Sequence, residues 1–339
     1  MALGCPIRSW ICVEQERHPR SCVLCLTDVV LVPELPDLEN YLHALRREVV
    51  GETLRELSIL SPFVLRTVEP RAKDLAGREL LGVERIGKRI VLGFGDELYA
   101  VIHLMIAGRL RWRESRQGKG PGRIGLVRMD FERGQLWLTE ASKKKRACLH
   151  LIEGSEALTG FARGGLEVLD ADLASFRQAL LRENRTLKRA LTDPRILSGI
   201  GNAYSDEILF AAGLSPVKLT SRLDDTEIER LHRATQEVLT DWTRRLRDEC
   251  GDGFPEKVTA FHPEMMVHGR YREDCRVCGK PIQRIRYASN ECNYCVVCQN
   301  EGRLLADRGL SQLMRKDWPK TLEELEERKT SGRDGHESI

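Results

Sequence analysis

The sequence predicts an α+β fold in which a β-rich half is followed by a helical half and then by a cysteine-rich hairpin. Three observations lead to this prediction. Short apolar segments separated by glycine-rich turns run from Leu54 to about Leu151, the period of amphipathic helices begins after Leu169, and two Cys-x-x-Cys pairs lie between residues 275 and 298. The 339 residues, with 41% hydrophobic and 31% charged side chains, suffice for roughly two globular domains.

The β-rich half follows one amphipathic helix. Apolar residues at helical spacing run from Leu38 to Val49, and Gly51 marks the end of this helix. Short apolar segments then predict strands, and several such strands together favour a sandwich or a barrel. We predict that this domain spans residues 33–151. Its clearest strands are Arg89–Gly93, Tyr99–His103 and Gln135–Thr139.

The helical half is predicted over residues 170–254, and a loop rich in glycine and proline follows it as far as Pro263. Within the helical half, the turn Gly199–Asn202 precedes a helix predicted from Ala203 to Phe210. Two glycines allow a partner to approach the backbone closely, and amides at the start of a helix attract anions. The turn therefore predicts a phosphate-binding position, although glycine and asparagine also end helices for conformational reasons alone.

Four cysteines predict a metal site within residues 264–300. Two Cys-x-x-Cys pairs, separated by residues 279–294, can place four thiolates around one Zn²⁺. A tetrahedron closed by four sulfurs leaves no position for water, so we predict one structural zinc ion, with a redox pair as the weaker alternative. The ligands are Cys275, Cys278, Cys295 and Cys298.

The remaining cysteines are assigned no metal. Cys292 is predicted to be a bystander, and a second site built from Cys22 and Cys25 with Cys5 and Cys12 is disfavoured because their spacing is irregular. The chain has 11 cysteines, an odd number, and no convincing signal peptide precedes them. Reduced thiols in the cytosol are therefore expected rather than a disulfide framework.

Charge and hydropathy narrow the choice of partners. The formal net charge of +3 is too small to indicate a polyanionic partner, whereas local basic clusters fit either a solvated face or a nucleic acid. The longest apolar runs are about half of the roughly 20 residues that a membrane-spanning helix needs, so no membrane contact is predicted. A charged tail, residues 301–339, is predicted to be helical at Leu304–Leu313 and Leu322–Glu327. The basic clusters are Arg109–Arg123, Lys143–Arg146 and Arg182–Arg195.

Four motifs, in their order and spacing, resemble the formamidopyrimidine-DNA glycosylase / endonuclease VIII family. They are Pro33–Asp37, Gly87–Arg89, Gly199–Leu209 and, before the cysteine pairs, Val267–Arg270. The resemblance covers roughly Pro33 to Gln299. It implies an N-terminal β-sandwich, a helix-two-turn-helix domain and a C-terminal zinc-finger β-hairpin.

The resemblance also implies an activity and a partner. The expected protein is a bifunctional DNA glycosylase and apurinic/apyrimidinic (AP) lyase of base-excision repair, located in the cytoplasm with the nucleoid. It would bind double-stranded DNA that contains damaged bases or abasic sites, act as a monomer, and need no cofactor for the chemistry besides the structural zinc.

The catalytic residues that the resemblance implies are Pro33, Glu34 and Lys88. A proline nitrogen at the start of a chain can attack the sugar C1′ of a damaged nucleotide, expel the base and form an iminium that permits β- or β,δ-elimination. Glu34 would move protons during these reactions, although an acid before a helix also serves as a cap. Lys88 would approach a DNA phosphate near the lesion, with an ordinary surface lysine as the alternative.

Four further residues are implied to bind DNA. His103, Lys188 and Asn202 match phosphate contacts of the family and would position the duplex. His103 also lies in an apolar strand, where a buried, hydrogen-bonded histidine is an equally good interpretation. Ile106, or else Met105, would fill the gap that an extruded nucleotide leaves in the duplex.

The first departure from the family is that residues 1–32 precede Pro33. A proline nitrogen in a peptide bond has no lone pair for attack, so we expect residues 1–32 to be absent from the active enzyme, through processing or through initiation at Val32. The alternative function is a non-catalytic protein that binds damaged DNA with Pro33 permanently blocked. A zinc-ribbon RNA-binding module is a third, weaker hypothesis, because it leaves the Pro-Glu and Gly-Asn motifs unexplained.

Further departures concern the lesion. Many family members have an arginine in the zinc hairpin where this chain has Asn290, and Arg284 or Arg286 could replace it. Family members also carry an Arg-Phe pair in a later loop that enters the duplex, and no such pair is recognisable within Glu140–Arg146 of this chain. These differences argue against assigning 8-oxoguanine specificity, and they leave the lesion and its opposite base open.

Overall fold

The computed structural model describes residues 32–114, 120–256, 261–287, 290–306, 312, 314 and 317–334. The predictions for residues 1–31, including the disfavoured second cysteine site, lie outside the described residues.

Two antiparallel four-stranded sheets form the first domain. One sheet has the order β1-β6-β7-β5 and the other the order β2-β3-β4-β8. The predicted strands are confirmed in β3, β4 and β7, and of the two predicted architectures the chain adopts the sandwich. The strands are β1 (Glu56–Ile59), β2 (Leu80–Ile86), β3 (Arg89–Phe94), β4 (Leu98–His103), β5 (Gly108–Arg113), β6 (Gly125–Asp130), β7 (Gln135–Glu140) and β8 (Cys148–Glu153).

The core of this domain lies between the two sheets and helix α1 (Leu35–Glu48). Alternate strand residues such as Ile90 and Leu110 are fully buried there, as expected when one face of each sheet packs inward. Helix α1 begins well because Pro36 is preset for the first turn, and Asp37 accepts the backbone N–H of Glu34 at 2.9 Å. Its Leu38 and Leu45 join the sandwich core.

Helix α1 also connects the sandwich to the helical half. Leu35 belongs to the core of the helices, and the Asn40 side chain donates to the Leu246 carbonyl at 3.2 Å. The turn at residues 199–201 separates two of these helices, as predicted. No helix among the described residues is long and apolar enough to cross a membrane. The helices are α2 (Leu173–Leu181), α3 (Leu187–Thr192), α4 (Asn202–Ala211) and α5 (Asp225–Cys250).

The cysteine-rich segment folds as the predicted hairpin, with β9 (Gln283–Arg286), β10 (Glu291–Tyr294) and the short helix α6 (Val296–Asn300). It is attached to α4 by Glu207, whose buried carboxylate accepts the backbone N–H groups of Met266, Val267 and His268 at 2.8 to 2.9 Å. The hairpin also reaches the start of α4, where the Asn202 side-chain amide donates to the Glu291 carbonyl.

The tail differs in part from its prediction. Helix α7 (Leu322–Asp334) confirms and extends the second predicted helix. The helix predicted at Leu304–Leu313 does not begin at Leu304, because residues 304–306 are not helical and the Leu304 N–H pairs with the Lys320 carbonyl at 2.7 Å. Of its remaining residues the structure describes only 312, which is helical. The contact between Leu304 and Lys320 brings Leu322 into the hairpin core with Ile285 and Tyr294, where burial of apolar surface outweighs local helical periodicity.

Candidate active site and metal centre

A cavity of about 630 Å³ lies where the sandwich, the helices and the hairpin meet. Its wall brings together five residues that are far apart in sequence and were predicted to act on DNA. They are Glu34 before α1, Lys88 between β2 and β3, Ile106 between β4 and β5, Lys188 in α3 and Asn202 in α4.

The Glu34 carboxylate caps helix α4. It accepts the N–H groups of Gly201 at 2.7 Å, Ala203 at 2.9 Å and Tyr204 at 3.2 Å. The anion that these three amides hold is a carboxylate of the protein itself, so phosphate binding at this turn stays a prediction for Asn202. Glu34 therefore faces the cavity and caps helix α4, while its catalytic role stays a prediction.

Gly201 has no side chain because two site residues occupy that space. A Cβ on this residue would lie 2.4 Å from Cδ of Glu34 and 2.4 Å from Nζ of Lys88, well inside van der Waals contact. The same turn needs a left-handed backbone at Gly199, where φ is +80°. Gly201 therefore leaves room for the Glu34 carboxylate and the Lys88 ammonium, and Gly199 allows the turn that precedes it.

Pro33 is buried at the edge of this arrangement. Its two neighbours in the chain, Val32 and Glu34, both line the cavity. The Pro33 nitrogen is in a peptide bond with Val32, as the sequence requires. The geometry therefore places the predicted nucleophile beside the cavity but in its amide form.

The Lys88 side chain is half-buried at the β2–β3 turn, which Gly87 allows with a φ of +60°. Burial lowers the pKa of Lys88, while the carboxylates of Glu34 and Asp37 oppose this shift. Arg85 fixes the turn, since its guanidinium donates to the Gly87 carbonyl at 2.8 Å and also pairs with Glu39 and Glu167. Lys88 therefore lies on a turn that Arg85 holds in place, and its ammonium loses a proton more readily than that of a surface lysine.

The β4–β5 turn presents Met105 and Ile106 to the cavity. Met105 adopts a left-handed backbone with a φ of +54°, and its N–H donates to Nδ1 of His103 at 2.9 Å. Burial, followed by the charges of Arg89 and Lys88, lowers the pKa of His103 to about 4. A neutral His103 therefore supports the turn that carries the predicted wedge, and it is outside the cavity wall.

Lys188 and Asn202 line the cavity with polar groups that already have partners. The Lys188 ammonium donates to the Asn202 carbonyl at 2.6 Å, to Ser205 Oγ at 2.8 Å and to Asp206 Oδ1 at 2.6 Å. The Asn202 side-chain amide donates to the Glu291 carbonyl at 2.8 Å. Their contacts with phosphate stay predictions.

The four predicted cysteines converge, with their Sγ atoms all within 4.8 Å of one another. The Cys278–Cys295 and Cys275–Cys298 sulfurs are 3.4 and 3.9 Å apart, too far for a disulfide bond of about 2 Å and close to the spacing in a tetrahedral ZnS₄ site. The donor set therefore fits a metal ion. Cys292 lies in the apolar core of the hairpin, outside the metal cluster, as predicted.

Other cavity residues were not identified from sequence. Arg146, Arg189, His268 and Tyr287 all line the wall. Arg146 and Arg189 belong to predicted basic clusters, but nothing in the sequence shows which members of a cluster face the cavity. His268 belongs to the motif Val267–Arg270, for which the sequence predicted no role. Asn290, where the family has an arginine, also reaches the cavity.

Arg284 has two local partners, and its substitution for the hairpin arginine stays a prediction. Its guanidinium lies 4.0 Å from the Tyr271 ring centroid and pairs with Glu291 at 3.2 Å. Arg286 is exposed at the end of β9. At this end of the hairpin, the described residues that line the cavity are Tyr287 and Asn290.

Comparisons with known proteins agree with this geometry. Residues 32–147 match the family model described as the formamidopyrimidine-DNA glycosylase N-terminal domain, and residues 165–246 match the one described as the formamidopyrimidine-DNA glycosylase H2TH domain. A formamidopyrimidine-DNA glycosylase of Thermus thermophilus is 31% identical, over 80% of this chain and all of the relative. One from Lactococcus lactis subsp. cremoris is 28% identical over the same shares.

Solved structures are similar as well. A complex of the Lactococcus lactis enzyme with DNA containing FAPY-dG has a TM-score of 0.69 and 28% identity, covering 79% of this chain and 100% of that one. A complex with DNA containing an abasic site has the same TM-score and 27% identity, covering 79% and 99%.

Proposed function

The chain belongs to the formamidopyrimidine-DNA glycosylase family, and from this premise we propose that its Pro33 nitrogen, once free, excises damaged bases and opens abasic sites. Like its relatives, the protein is a bifunctional DNA glycosylase and AP lyase of base-excision repair. One observation supports these residue roles. Glu34 and Lys88 line one cavity beside Pro33, at the place where the sandwich, the helices and the hairpin meet.

The proposed chemistry uses two groups of the protein, Pro33 and Glu34. The free secondary amine of Pro33 attacks C1′, and the base leaves with the proton that the amine loses, which Glu34 carries. The ring oxygen takes a proton from water as its bond to C1′ breaks, which leaves the iminium. Glu34 then removes a proton from C2′, and the electrons of that C–H bond expel the 3′-phosphate. Hydrolysis of the iminium by water then restores the amine. Three backbone amides hold the Glu34 carboxylate in one orientation, in which it can accept the proton that the Pro33 amine releases.

DNA binding is supported by the charge of the cavity wall. Lys88, Arg146, Lys188 and Arg189 line it, so an anionic backbone would be attracted toward the predicted nucleophile. Ile106 and Met105 stand on the same wall as apolar groups of the size needed to replace an extruded nucleotide. We propose double-stranded damaged DNA as the partner, with a monomeric enzyme in the cytoplasm, associated with the nucleoid.

We further propose that the four clustered cysteines hold one structural Zn²⁺. In that role the ion would fix the hairpin, whose Tyr287 and Asn290 reach the cavity, and would take no part in the reaction.

A second function is favoured by one observation. With Val32 bonded to Pro33, the nitrogen has no lone pair for attack, so a chain that keeps this bond would bind damaged DNA without cleaving it. The match of the family model from residue 32, and of relatives over their whole length, supports the chain that starts at Pro33 as the enzyme.

Covalent trapping distinguishes the two functions. The full chain and a chain that begins at Pro33, verified by mass, would each be incubated with abasic-site DNA and borohydride. We expect an adduct at Pro33 only for the shorter chain, with similar DNA affinity for both. An adduct of equal yield on the full chain, or none on either, would overturn the role of Pro33.

Lys88 has a separate test in the shorter chain. Lys88→Ala should weaken DNA binding and reduce the slope of log affinity against log salt by about one unit, because one phosphate contact is lost. Lys73→Ala, on an exposed turn away from the cavity, is the matched control. An unchanged slope in Lys88→Ala would contradict the phosphate contact.

A further inference from the structure

A fully buried carboxylate, Asp206, lies behind the cavity in helix α4. It accepts the Lys188 ammonium at 2.6 Å, Nδ1 of His268 at 2.8 Å and the backbone N–H of Asn293 at 3.0 Å. The three partners come from α3, from the segment before the cysteine pairs and from β10. Asp206 therefore joins three parts of the chain at one point.

Two of these partners reach the cavity wall. Lys188 and His268 both line it, whereas Asp206 does not. Asn293 strengthens the connection on the hairpin side, since its side-chain oxygen accepts the Gly269 N–H at 2.9 Å. The side chains that face the substrate are thus oriented by one carboxylate that lies behind them.

The charges around Asp206 make this arrangement an ion pair. Burial alone would raise the pKa of Asp206, but the Lys188 ammonium and the His268 ring hold it below its ordinary value. Burial likewise favours neutral Lys188, yet Asp206 raises the pKa of Lys188. The nearby Cys292 thiol stays neutral, because burial raises its pKa well above the ordinary value. Asp206 is therefore a carboxylate and Lys188 an ammonium at neutral pH.

The carboxylate also orients the His268 ring. Because an ionised Asp206 only accepts hydrogen bonds, the proton of the 2.8 Å contact belongs to Nδ1 of His268. Phe261 stacks on the ring at a centroid distance of 5.4 Å and an angle of 22°. Gly269 permits this stacking, since a Cβ there would lie 2.3 Å from Phe261. In the neutral ring, Nε2 is then the atom with a free lone pair.

We propose that Asp206 is a positioning residue that holds the Lys188 ammonium and the His268 imidazole at the lesion cavity, and that His268 Nε2 accepts a hydrogen bond from an N–H group of the extruded base. The ligand class is a damaged base that carries an amide or amino N–H donor. The contact between His268 and the base rests on the proposed function. The positioning role of Asp206 does not, because the orientation of the ring is a property of the protein without DNA.

The first test measures the ring tautomer in the full chain. Nitrogen-15 NMR of histidine-labelled protein at pH 8 should show His268 with a proton on Nδ1 and none on Nε2, the signal being identified by its loss in His268→Phe. Asp206→Asn should abolish this preference. Glu207→Gln is the matched control, because Glu207 is equally buried but bonds only to backbone N–H groups of residues 266–268. A proton on Nε2 in the unaltered protein, or an equal change in Glu207→Gln, would overturn the positioning role.

The second test asks whether the ring contacts the base. In the chain that starts at Pro33, His268→Phe should lower kcat/KM for excision of a formamidopyrimidine base at least tenfold. In this variant, strand cleavage at an abasic site without a base should change less than threefold. Equal losses on both DNAs would show a general structural role and defeat the base contact. His268→Phe keeps the stacked ring volume, so its result stands even where Asp206→Asn folds poorly.

Failure of the proposed function gives a different pattern. If the chain that starts at Pro33 neither excises bases nor cleaves abasic sites, the function is wrong, while the tautomer measurement still decides the role of Asp206.

Discussion

The backbone N–H of Gly201 donates a 2.7 Å hydrogen bond to the carboxylate of Glu34, across 167 positions of the chain. This contact makes the start of α4 part of the candidate active site. The carboxylate that faces the cavity also neutralises the N-terminus of α4, a helix far along the chain from the one that Glu34 precedes.

Substitution of Glu34 should separate its two roles. In the chain that starts at Pro33, Glu34→Gln and Glu34→Ala should both abolish base excision while much of the DNA affinity remains. Glu34→Ala also leaves three amides without their acceptor, so the free energy of unfolding should fall by about 1–3 kcal/mol, and by less in Glu34→Gln. Urea unfolding measures this, with exposed Glu84→Ala as the control. Equal stability of Glu34→Ala and the unaltered chain would contradict the capping role.

A methyl group at Gly201 should disable the site from within. In Gly201→Ala the added Cβ displaces the Glu34 carboxylate or the Lys88 ammonium, so excision should fall at least tenfold. Gly160→Ala, whose Cβ enters open space, should leave the rate unchanged. The rate of base excision at saturating DNA is the measurement. A fully active Gly201→Ala would show that the close approach seen here is not needed.

The cysteines should divide into ligands and a bystander. Cys278→Ser should lower the bound zinc well below one ion per chain, because only three thiolates remain, and the hairpin should become accessible to protease. Cys292→Ala should keep one zinc ion per chain, since Cys292 lies in the apolar core of the hairpin and outside the group of four clustered sulfurs. Metal analysis of the purified proteins tests both expectations. Loss of zinc in Cys292→Ala would mean that the ligand set is different.

The tail should stabilise the hairpin. Leu322 is 5% exposed in a core shared with Tyr294 and Val296, so Leu322→Ala should cost about 2–4 kcal/mol of local stability. The expected readout is faster release of zinc to a chelator and weaker hydrogen-exchange protection of β10. Glu323→Ala, exposed at the next position, is the control. Identical release rates in the two variants would show that the tail does not support the hairpin.

Sequence reasoning succeeded where the signal is local. The strand at Tyr99–His103 and the helix at Ala203–Phe210 follow from apolar periodicity, and Cys275 with Cys278 follows from the tight turn that two thiolates need. It did not reach the contacts that distant partners decide. The amides after Gly201 hold a carboxylate of the protein itself, and Leu304 pairs with Lys320 instead of starting a helix.

By itself, the sequence therefore determined the α+β plan, the four cysteines that cluster and the residues that match the family, because periodicity, spacing and motif order are properties of the chain. Only the tertiary structure decided that Glu34 caps α4 and that Asp206 joins Lys188 to His268. Such contacts join residues far apart in the chain, and they form because a buried polar group must find a partner wherever packing places one.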